Sequence, residues 1–250
     1  MKHWFLSLCC LALWPSISAA DTFRLAAAAN LQAVTQALSK DFSQKTGHQF
    51  QTSFGASGKL FAQISHGAPF DVLMSADLKY PQTLLNQGAA IAPLVHYANG
   101  VLVLWTQQAT MPKDWQAWLQ SNAVQKIAIA QPESAPYGRE ALRILSALPQ
   151  FPVLKSKLVY GESIAQASQF IATGAAQAGF SAKSIVSNPD QRQSGAWIEI
   201  PQSAHQTIAQ GAVQTRYGKD NAAAKAFMRY LHSPSAQQIL LRYGYLVPQP

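Results

Sequence analysis

The chain has 250 residues but only two cysteines, Cys9 and Cys10, both close to its start. The sequence after residue 20 therefore offers no thiol for a disulfide bond, a thiolate metal site or a cysteine nucleophile. Charged residues make up only 12% of the chain, and no run of five or more basic residues occurs. The net charge of +8 is accompanied by no zinc-finger, helix-turn-helix or RNA-recognition pattern, so we expect no nucleic-acid partner.

Clustered metal ligands and long apolar runs are also scarce. The six histidines are far apart in sequence, and none forms a pair at helical ligand spacing, so we expect neither a directly bound metal ion nor a cofactor. The apolar run 4–14 follows Lys2 and His3 and precedes the small residues 18–20. This pattern predicts a signal peptide over residues 1–20 and export to the periplasm. Lipid attachment at Cys9 is disfavoured because the bulky Leu8 precedes it.

Strand-like and helix-like segments alternate along the rest of the chain. Segment 22–28 is apolar like a buried strand, and Leu31, Val34, Leu38 and Phe42 follow at helical spacing. This alternation predicts an α/β protein with mixed, mostly parallel sheets flanked by helices. The length suits two lobes. We predict one lobe over 21–98 and 204–250 and the other over 99–203, with strand 101–105 crossing between them.

Four turns rich in small residues each join a strand-like to a helix-like run. A helix start presents unpaired N–H groups and the positive end of the peptide dipole, and small residues there let an anion approach closely. Four such turns in the two halves of the chain predict a closed pocket for a small, fully ionised anion. They lie at 28–31, 54–60, 134–138 and 161–164.

Ser57, in the second turn, is the one candidate nucleophile for an exported hydrolase or transferase. Its surroundings lack the Gly-x-Ser-x-Gly elbow and the phosphate-loop pattern, since Ser53 and Leu60 occupy two key positions of that loop. No sequence pattern supplies a base for it. The alternatives for Ser57 are an N-cap of the following helix and a ligand contact. Asp77, at another strand-to-helix junction, is expected to cap a helix rather than touch a ligand.

Six segments, taken in order, resemble the periplasmic molybdate-binding proteins of ABC importers: 28–31, 53–60, 67–77, 132–138, 179–184 and 242–245. The resemblance covers essentially the whole chain after residue 20. It implies a two-lobed, type II periplasmic binding protein fold with the ligand in the cleft between the lobes. It also implies a monomer without enzymatic activity that binds molybdate or tungstate and delivers it to a membrane permease.

The resemblance further implies that hydroxyl groups and backbone amides hold the oxyanion without a cationic side chain. Asn30 stands where many relatives have serine, so either its side-chain amide or its backbone N–H is expected to donate. For Ile164 only the backbone N–H is expected to act. Carried onto this sequence, the implied ligand-binding residues are Ala29, Asn30, Ser57, Tyr137 and Ile164.

Three other positions qualify this set. Ala182 stands where some relatives have a tyrosine, so the Tyr137 phenol either supplies the missing hydroxyl or packs at the rim against the facing lobe. Lys59 and Arg139 follow the second and third turns and are expected to steer anions without touching them.

Other functions remain open at this level. A binding protein for sulfate, thiosulfate or an organic anion would use a similar pocket, and cavity size is expected to separate sulfate from the larger molybdate and tungstate. A ferric-ion binder would need clustered tyrosines, and only Tyr243 and Tyr245 are close in sequence. A ligand-sensing regulatory domain is disfavoured by the export signal.

Overall fold

The computed structural model describes residues 21–190 and 194–248. The predicted signal peptide, 1–20, lies outside these ranges. No helix within them combines the length and the apolar composition needed to cross a membrane.

The described strands form two five-stranded sheets of matching order. The strands are β1 (Thr22–Ala28), β2 (Gln49–Gly55), β3 (Val72–Met74), β4 (Ala90–Gly100), β5 (Leu102–Thr106), β6 (Ile127–Ala130), β7 (Leu158–Gly161), β8 (Ala178–Ala182), β9 (Ala196–Glu199) and β10 (Ile208–Thr215). The first sheet has the order β2-β1-β3-β10-β4, and the second has the order β7-β6-β8-β5-β9. In each sheet the first three strands pair in parallel and the last two pairings are antiparallel. Only β10 and β5 therefore run against the other strands of their described sheets, and the predicted mixed, mostly parallel α/β architecture is confirmed.

Helices cover the faces of both sheets. They are α1 (Gln32–Thr46), α2 (Ser57–Ser65), α3 (Lys79–Asn86), α4 (Trp115–Gln120), α5 (Pro136–Ser146), α6 (Phe151–Ser156), α7 (Ile164–Ala172), α8 (Lys183–Val186), α9 (Ala222–Tyr230) and α10 (Pro234–Arg242), with short 3-10 helices at Ala29–Leu31 and Gln202–Ala204. Asn221 and Ser233 cap α9 and α10 through their side chains, as their residue types predict.

Both faces of the first sheet carry a hydrophobic core. On one face Phe42 of α1 packs edge-on against Phe227 of α9, with ring centroids 5.3 Å apart. On the other face Leu60 of α2 and Leu84 of α3 are buried in one cluster with Leu73 of β3. Alternate residues of the strands therefore point into different cores, as expected for a sheet covered by helices on both sides.

The chain passes from the first sheet to the second between Gly100 and Leu102, and it returns between Glu199 and Ile208. The predicted crossing strand 101–105 corresponds to β5, which among the described strands pairs only with β8 and β9 of the second sheet, so the prediction that it crosses between lobes is wrong. Strand β9 also belongs to the second sheet, because it pairs with β5. The structure also contains β4, which the sequence did not predict. Its Pro93 lacks an N–H, and an edge strand tolerates that loss.

The strand register aligns the carboxyl ends of neighbouring parallel strands at one edge of each sheet. Ala28 of β1 pairs with Gly55 of β2, and Ala130 of β6 pairs with Gly161 of β7. Each of these strands leads within a few residues into a helix. The carboxyl ends of parallel strands are where open α/β sheets bind ligands, and here two such edges, one from each sheet, supply four helix starts.

Gly138, in the first turn of α5, allows this helix to approach the end of β6. A Cβ at Gly138 would lie 2.0 Å from the carbonyl oxygen of Ala130. We predict that Gly138→Ala destabilises the protein by about 1–3 kcal/mol, because this backbone clash outweighs the gain in helix propensity of about 1 kcal/mol. Urea unfolding measures the change.

Gly55→Ala is the matched control, since its Cβ would meet only the Leu60 side chain at an ordinary 3.4 Å. We expect its stability to change by no more than about 0.5 kcal/mol. Equal effects of the two substitutions would contradict the close approach of α5 to β6.

Candidate anion-binding site

A small cavity lies between the two sheets, where the four helix starts meet. Its volume of about 10 Å³ leaves room for a group about the size of one water molecule. Its walls carry no charged side chain. The lining residues are Ala28, Ala29, Asn30, Gly55, Ala56, Ser57, Ala76, Ala135, Pro136, Tyr137 and Ile164. All five residues of the predicted set are therefore brought together.

Three of the four helix starts have no side-chain cap. The residues at the N-cap positions of the 3-10 helix Ala29–Leu31, of α2 and of α5 are Ala28, Ala56 and Ala135. Alanine has no side-chain oxygen, so it cannot satisfy the N–H groups of the first turn. Several helices elsewhere carry a functional cap, from Asp114, Asn221 and Ser233.

Some first-turn N–H groups of the uncapped helices have acceptors inside the protein: in α2 the Gly58 N–H donates to the Ser134 carbonyl at 2.8 Å. Within the described ranges, the N–H groups of Asn30, Ser57 and Tyr137 donate to no other residue. The fourth helix, α7, has Ser163 as its cap, which accepts only from the Gln166 N–H, at 3.3 Å. Ile164 is buried, and its N–H precedes the capped one. The positive ends of four helix dipoles add to these donors.

Ser57 is the first residue of α2 and not its N-cap, so the capping alternative is wrong. Its Oγ accepts a hydrogen bond from the Ala76 N–H at 3.0 Å, and its side chain is buried. This contact fixes the rotamer and leaves the hydroxyl proton as a donor. No described acidic or histidine side chain is hydrogen-bonded to Ser57, so a base that would make it a nucleophile is missing.

The Asn30 side chain and carbonyl are hydrogen-bonded to residues that do not line the cavity. Its Nδ2 donates to Gln210 Oε1 at 3.0 Å and to the Tyr245 hydroxyl at 3.1 Å. Its carbonyl accepts from Tyr245 and from Ser184, at 2.8 and 3.0 Å. In this orientation of the amide, the backbone N–H is the donor that Asn30 can offer to a guest.

The Tyr137 phenol is engaged by its surroundings. It accepts from Gln210 Nε2 at 3.0 Å and packs so closely on Gly100 that a Cβ there would lie 2.1 Å from the phenol oxygen. Burial raises the pKa of Tyr137 well above its usual range, so the phenol stays protonated. The ring therefore reaches across to the first sheet. The backbone N–H, in the first turn of α5, is the Tyr137 donor available at the helix start.

Ala182 ends β8 and is fully buried. Two residues further on, the Ser184 hydroxyl bonds to the Asn30 carbonyl. This segment therefore supports Asn30 and adds no hydroxyl to the cavity lining. Ser184, Gln210 and Tyr245 are the supporting residues that the sequence did not reveal.

The cationic residues near the site are paired with acids from the opposite side. Lys59 forms an ion pair with Glu162. Arg139 Nη2 lies 2.7 Å from Asp77 Oδ2, and Asp77 Oδ1 also accepts from the Tyr80 N–H at the start of α3. Neither cation lines the cavity. Each pair joins a helix of one sheet, α2 or α5, to the turn before a helix of the other sheet.

The described residues form no cluster of side chains suited to binding a metal ion directly. The described residues contain no group of three or more histidine, cysteine, aspartate or glutamate side chains that could hold a metal ion. The cavity is lined by uncharged groups.

Two sheets of matching strand order, with such a cavity between their carboxyl edges, define a two-lobed solute-binding protein of the type II class. Residues 23–246 match the family model of bacterial extracellular solute-binding proteins, and the chain belongs to that family.

Individual relatives narrow this assignment. The chain is 41% identical over 223 residues to the molybdate-binding protein ModA of Azotobacter vinelandii, covering 89% of this chain and 88% of the relative. It is 39% identical over 230 residues to that of Rhodobacter capsulatus, covering 92% and 90%. The solved structure of the A. vinelandii periplasmic molybdate-binding protein has a TM-score of 0.85 and 33% identity, covering 91% of this chain and 100% of that one. The predicted membership in this family of binding proteins, rather than of enzymes, is confirmed.

The buried Ser57 hydroxyl gives a direct test of the site. With molybdate as the probe, we predict that Ser57→Ala weakens binding about 10- to 100-fold, because a hydrogen bond to a charged group contributes about 1.5–3 kcal/mol. The protein should stay folded. Calorimetric titration measures the affinity, and circular dichroism checks the fold.

Ser65→Ala, at the exposed far end of the same helix, is the control and should bind like the wild type. Ser57→Ala binding as tightly as Ser65→Ala would remove Ser57 from the site.

Proposed function

We propose that the protein captures molybdate or tungstate in the periplasm and delivers it to the permease of an ABC importer. The observation that carries this proposal is the convergence of uncapped helix starts on a cavity without a charged side chain. Such donors suit a fully ionised oxyanion, which only accepts hydrogen bonds. The names of the relatives, which are molybdate-binding proteins, support the same ligand.

The energetics favour many neutral donors over one cation. Removing a dianion from water is costly, and each N–H or O–H dipole offsets part of that cost. The proposed donors are the backbone N–H groups of Ala29, Asn30, Tyr137 and Ile164, with Ser57 giving its hydroxyl and its N–H. Because these groups sit on helices and strands, they cannot contract around a smaller ion. Sulfate is therefore expected to lose hydrogen bonds that the larger anions make.

The proposal includes closure of two lobes around the guest. We take the lobes to be 21–98 with 204–250, and 99–203, with the crossings near Gly100 and Glu199 as the hinge. The contacts between Lys59 and Glu162 and between Arg139 and Asp77 support a closed form, since both lie across the cleft. A monomer in this closed form is the state offered to the permease.

A panel of oxyanions tests the ligand. We predict that molybdate or tungstate at 100 times its dissociation constant stabilises the protein by about 2.7 kcal/mol. For a chain of this size the melting temperature rises by roughly 5–10 °C. Differential scanning calorimetry of the chain without residues 1–20 measures the shift. Sulfate and phosphate at the same concentration serve as comparisons, and an equal shift with sulfate would contradict the proposed selectivity.

The Arg139–Asp77 pair tests closure. We predict that Arg139→Gln speeds molybdate release by up to about fivefold, because a partly exposed ion pair contributes about 0.2–1 kcal/mol. Stopped-flow competition measures the release rate. Lys219→Gln is the control, since Lys219 lies in an exposed pair, 3.9 Å from Asp220. A loss of affinity of a hundredfold would mean that Arg139 touches the guest, against the proposal.

A further inference from the structure

Gln210 of β10 is a fully buried amide that connects the two sides of the cleft behind the cavity. Its Oε1 accepts from Asn30 Nδ2 at 3.0 Å and from the Tyr97 hydroxyl at 2.9 Å. Its Nε2 donates to the Tyr137 hydroxyl at 3.0 Å. Gln210 thus touches two residues of the cavity wall without lining the cavity itself.

This arrangement leaves hydrogen-bonding capacity unused beside the cavity. Asn30 Oδ1 is buried and has no hydrogen-bond partner among the described residues. Within the same ranges, the Tyr137 hydroxyl accepts from Gln210 but donates its own proton to no residue. The single proton of Tyr97 is shared between Gln210 Oε1 and the Ser75 carbonyl, at 2.9 and 3.0 Å. Unused buried polar groups are unfavourable.

A half-turn of both amides gives the Tyr97 and Tyr137 protons one acceptor each and leaves Asn30 Nδ2, in place of Oδ1, as the buried atom without a partner. The turned Asn30 Oδ1 then lies about 3.1 Å from the Tyr245 oxygen, so Tyr245 shares with it the proton that it gives to the Asn30 carbonyl. The oxygen and nitrogen ends of a carboxamide have nearly the same shape, so the half-turn keeps the heavy-atom positions. Gln210 Oε1 then accepts the Tyr137 proton, and Gln210 Nε2 donates to Asn30 Oδ1 and to the Tyr97 oxygen. Tyr97 donates to Ser75 alone. Asn30 Nδ2 becomes the remaining donor.

We propose that the oxyanion-bound protein uses this turned arrangement, the donor relay, in which Tyr137, Gln210 and Asn30 donate in series toward the guest. Gln210 is then a positioning residue that acts through Asn30. The proposal rests on the proposed function, because a fully ionised guest repels Oδ1 and accepts from Nδ2. It explains how asparagine can replace the serine hydroxyl that the resemblance implies.

The relay also bears on specificity. An oxyanion that carries a proton, such as hydrogen phosphate, needs an acceptor in the wall, and the turned Asn30 amide offers none. The opposite orientation would present Oδ1 and suit such an ion. The orientation that Gln210 imposes on Asn30 therefore selects between oxyanions of the same charge.

Gln210→Glu tests the relay, because a carboxylate has no N–H to give to Asn30 Oδ1. Glutamate instead accepts from Asn30 Nδ2 and turns Oδ1 to the cavity. We expect the ratio of molybdate affinity to hydrogen phosphate affinity to fall at least tenfold. Calorimetry in mildly alkaline buffer measures both ions as dianions, so the added charge of the variant cancels in the ratio.

Gln214→Glu, on the same strand and bonded to the Gly218 carbonyl, is the matched control and should keep the wild-type ratio. Tyr137→Phe removes the first donor of the relay and should lower the ratio about fivefold. Tyr230→Phe, whose hydroxyl bonds to Asp41 far from the cavity, controls for loss of a tyrosine hydroxyl outside the relay. If Gln210→Glu does not fold, the two tyrosine variants decide the outcome.

The outcomes separate the two proposals. A wild type that binds molybdate, with unchanged ratios in Gln210→Glu and Tyr137→Phe, overturns the relay alone. A wild type that binds no molybdate overturns the proposed function and the relay with it.

Discussion

The site depends on backbone N–H groups that the protein leaves without internal acceptors. A helix start normally loses this capacity to a capping side chain, yet alanine occupies the cap at Ala28, Ala56 and Ala135. Each missing cap weakens its helix by about 1 kcal/mol, which the surrounding packing must offset. In return, residues with free N–H groups from both sheets line one small cavity.

The fold makes this convergence possible. Matching strand order in the two sheets places two parallel edges opposite each other, and in-register strand ends such as Ala28 and Gly55 align the following helices. The same architecture keeps full charges out of the cavity, because Lys59 and Arg139 are paired with acids across the cleft. The cavity is therefore lined by dipoles rather than by cations.

Much of this was predictable from local sequence. Helical spacing and strand-like runs predict most elements, and small residues at strand-to-helix turns predict the cavity wall. Contacts between distant residues were not predictable in this way. Asn30 and Gln210 are 180 residues apart in sequence, and β10 carries two glutamines, Gln210 and Gln214, with nothing local to show which of them is the buried amide. Strand β4 was missed because Pro93 argues against a strand, except at an edge.

The central claim is that uncharged donors hold the guest. A crystal structure of the protein grown with molybdate measures this directly. The account predicts the oxyanion within hydrogen-bond distance of the N–H groups of Asn30, Ser57, Tyr137 and Ile164, with no lysine or arginine nitrogen in contact. An oxyanion held mainly by Lys59 or Arg139, or one bound outside this cavity, would contradict it.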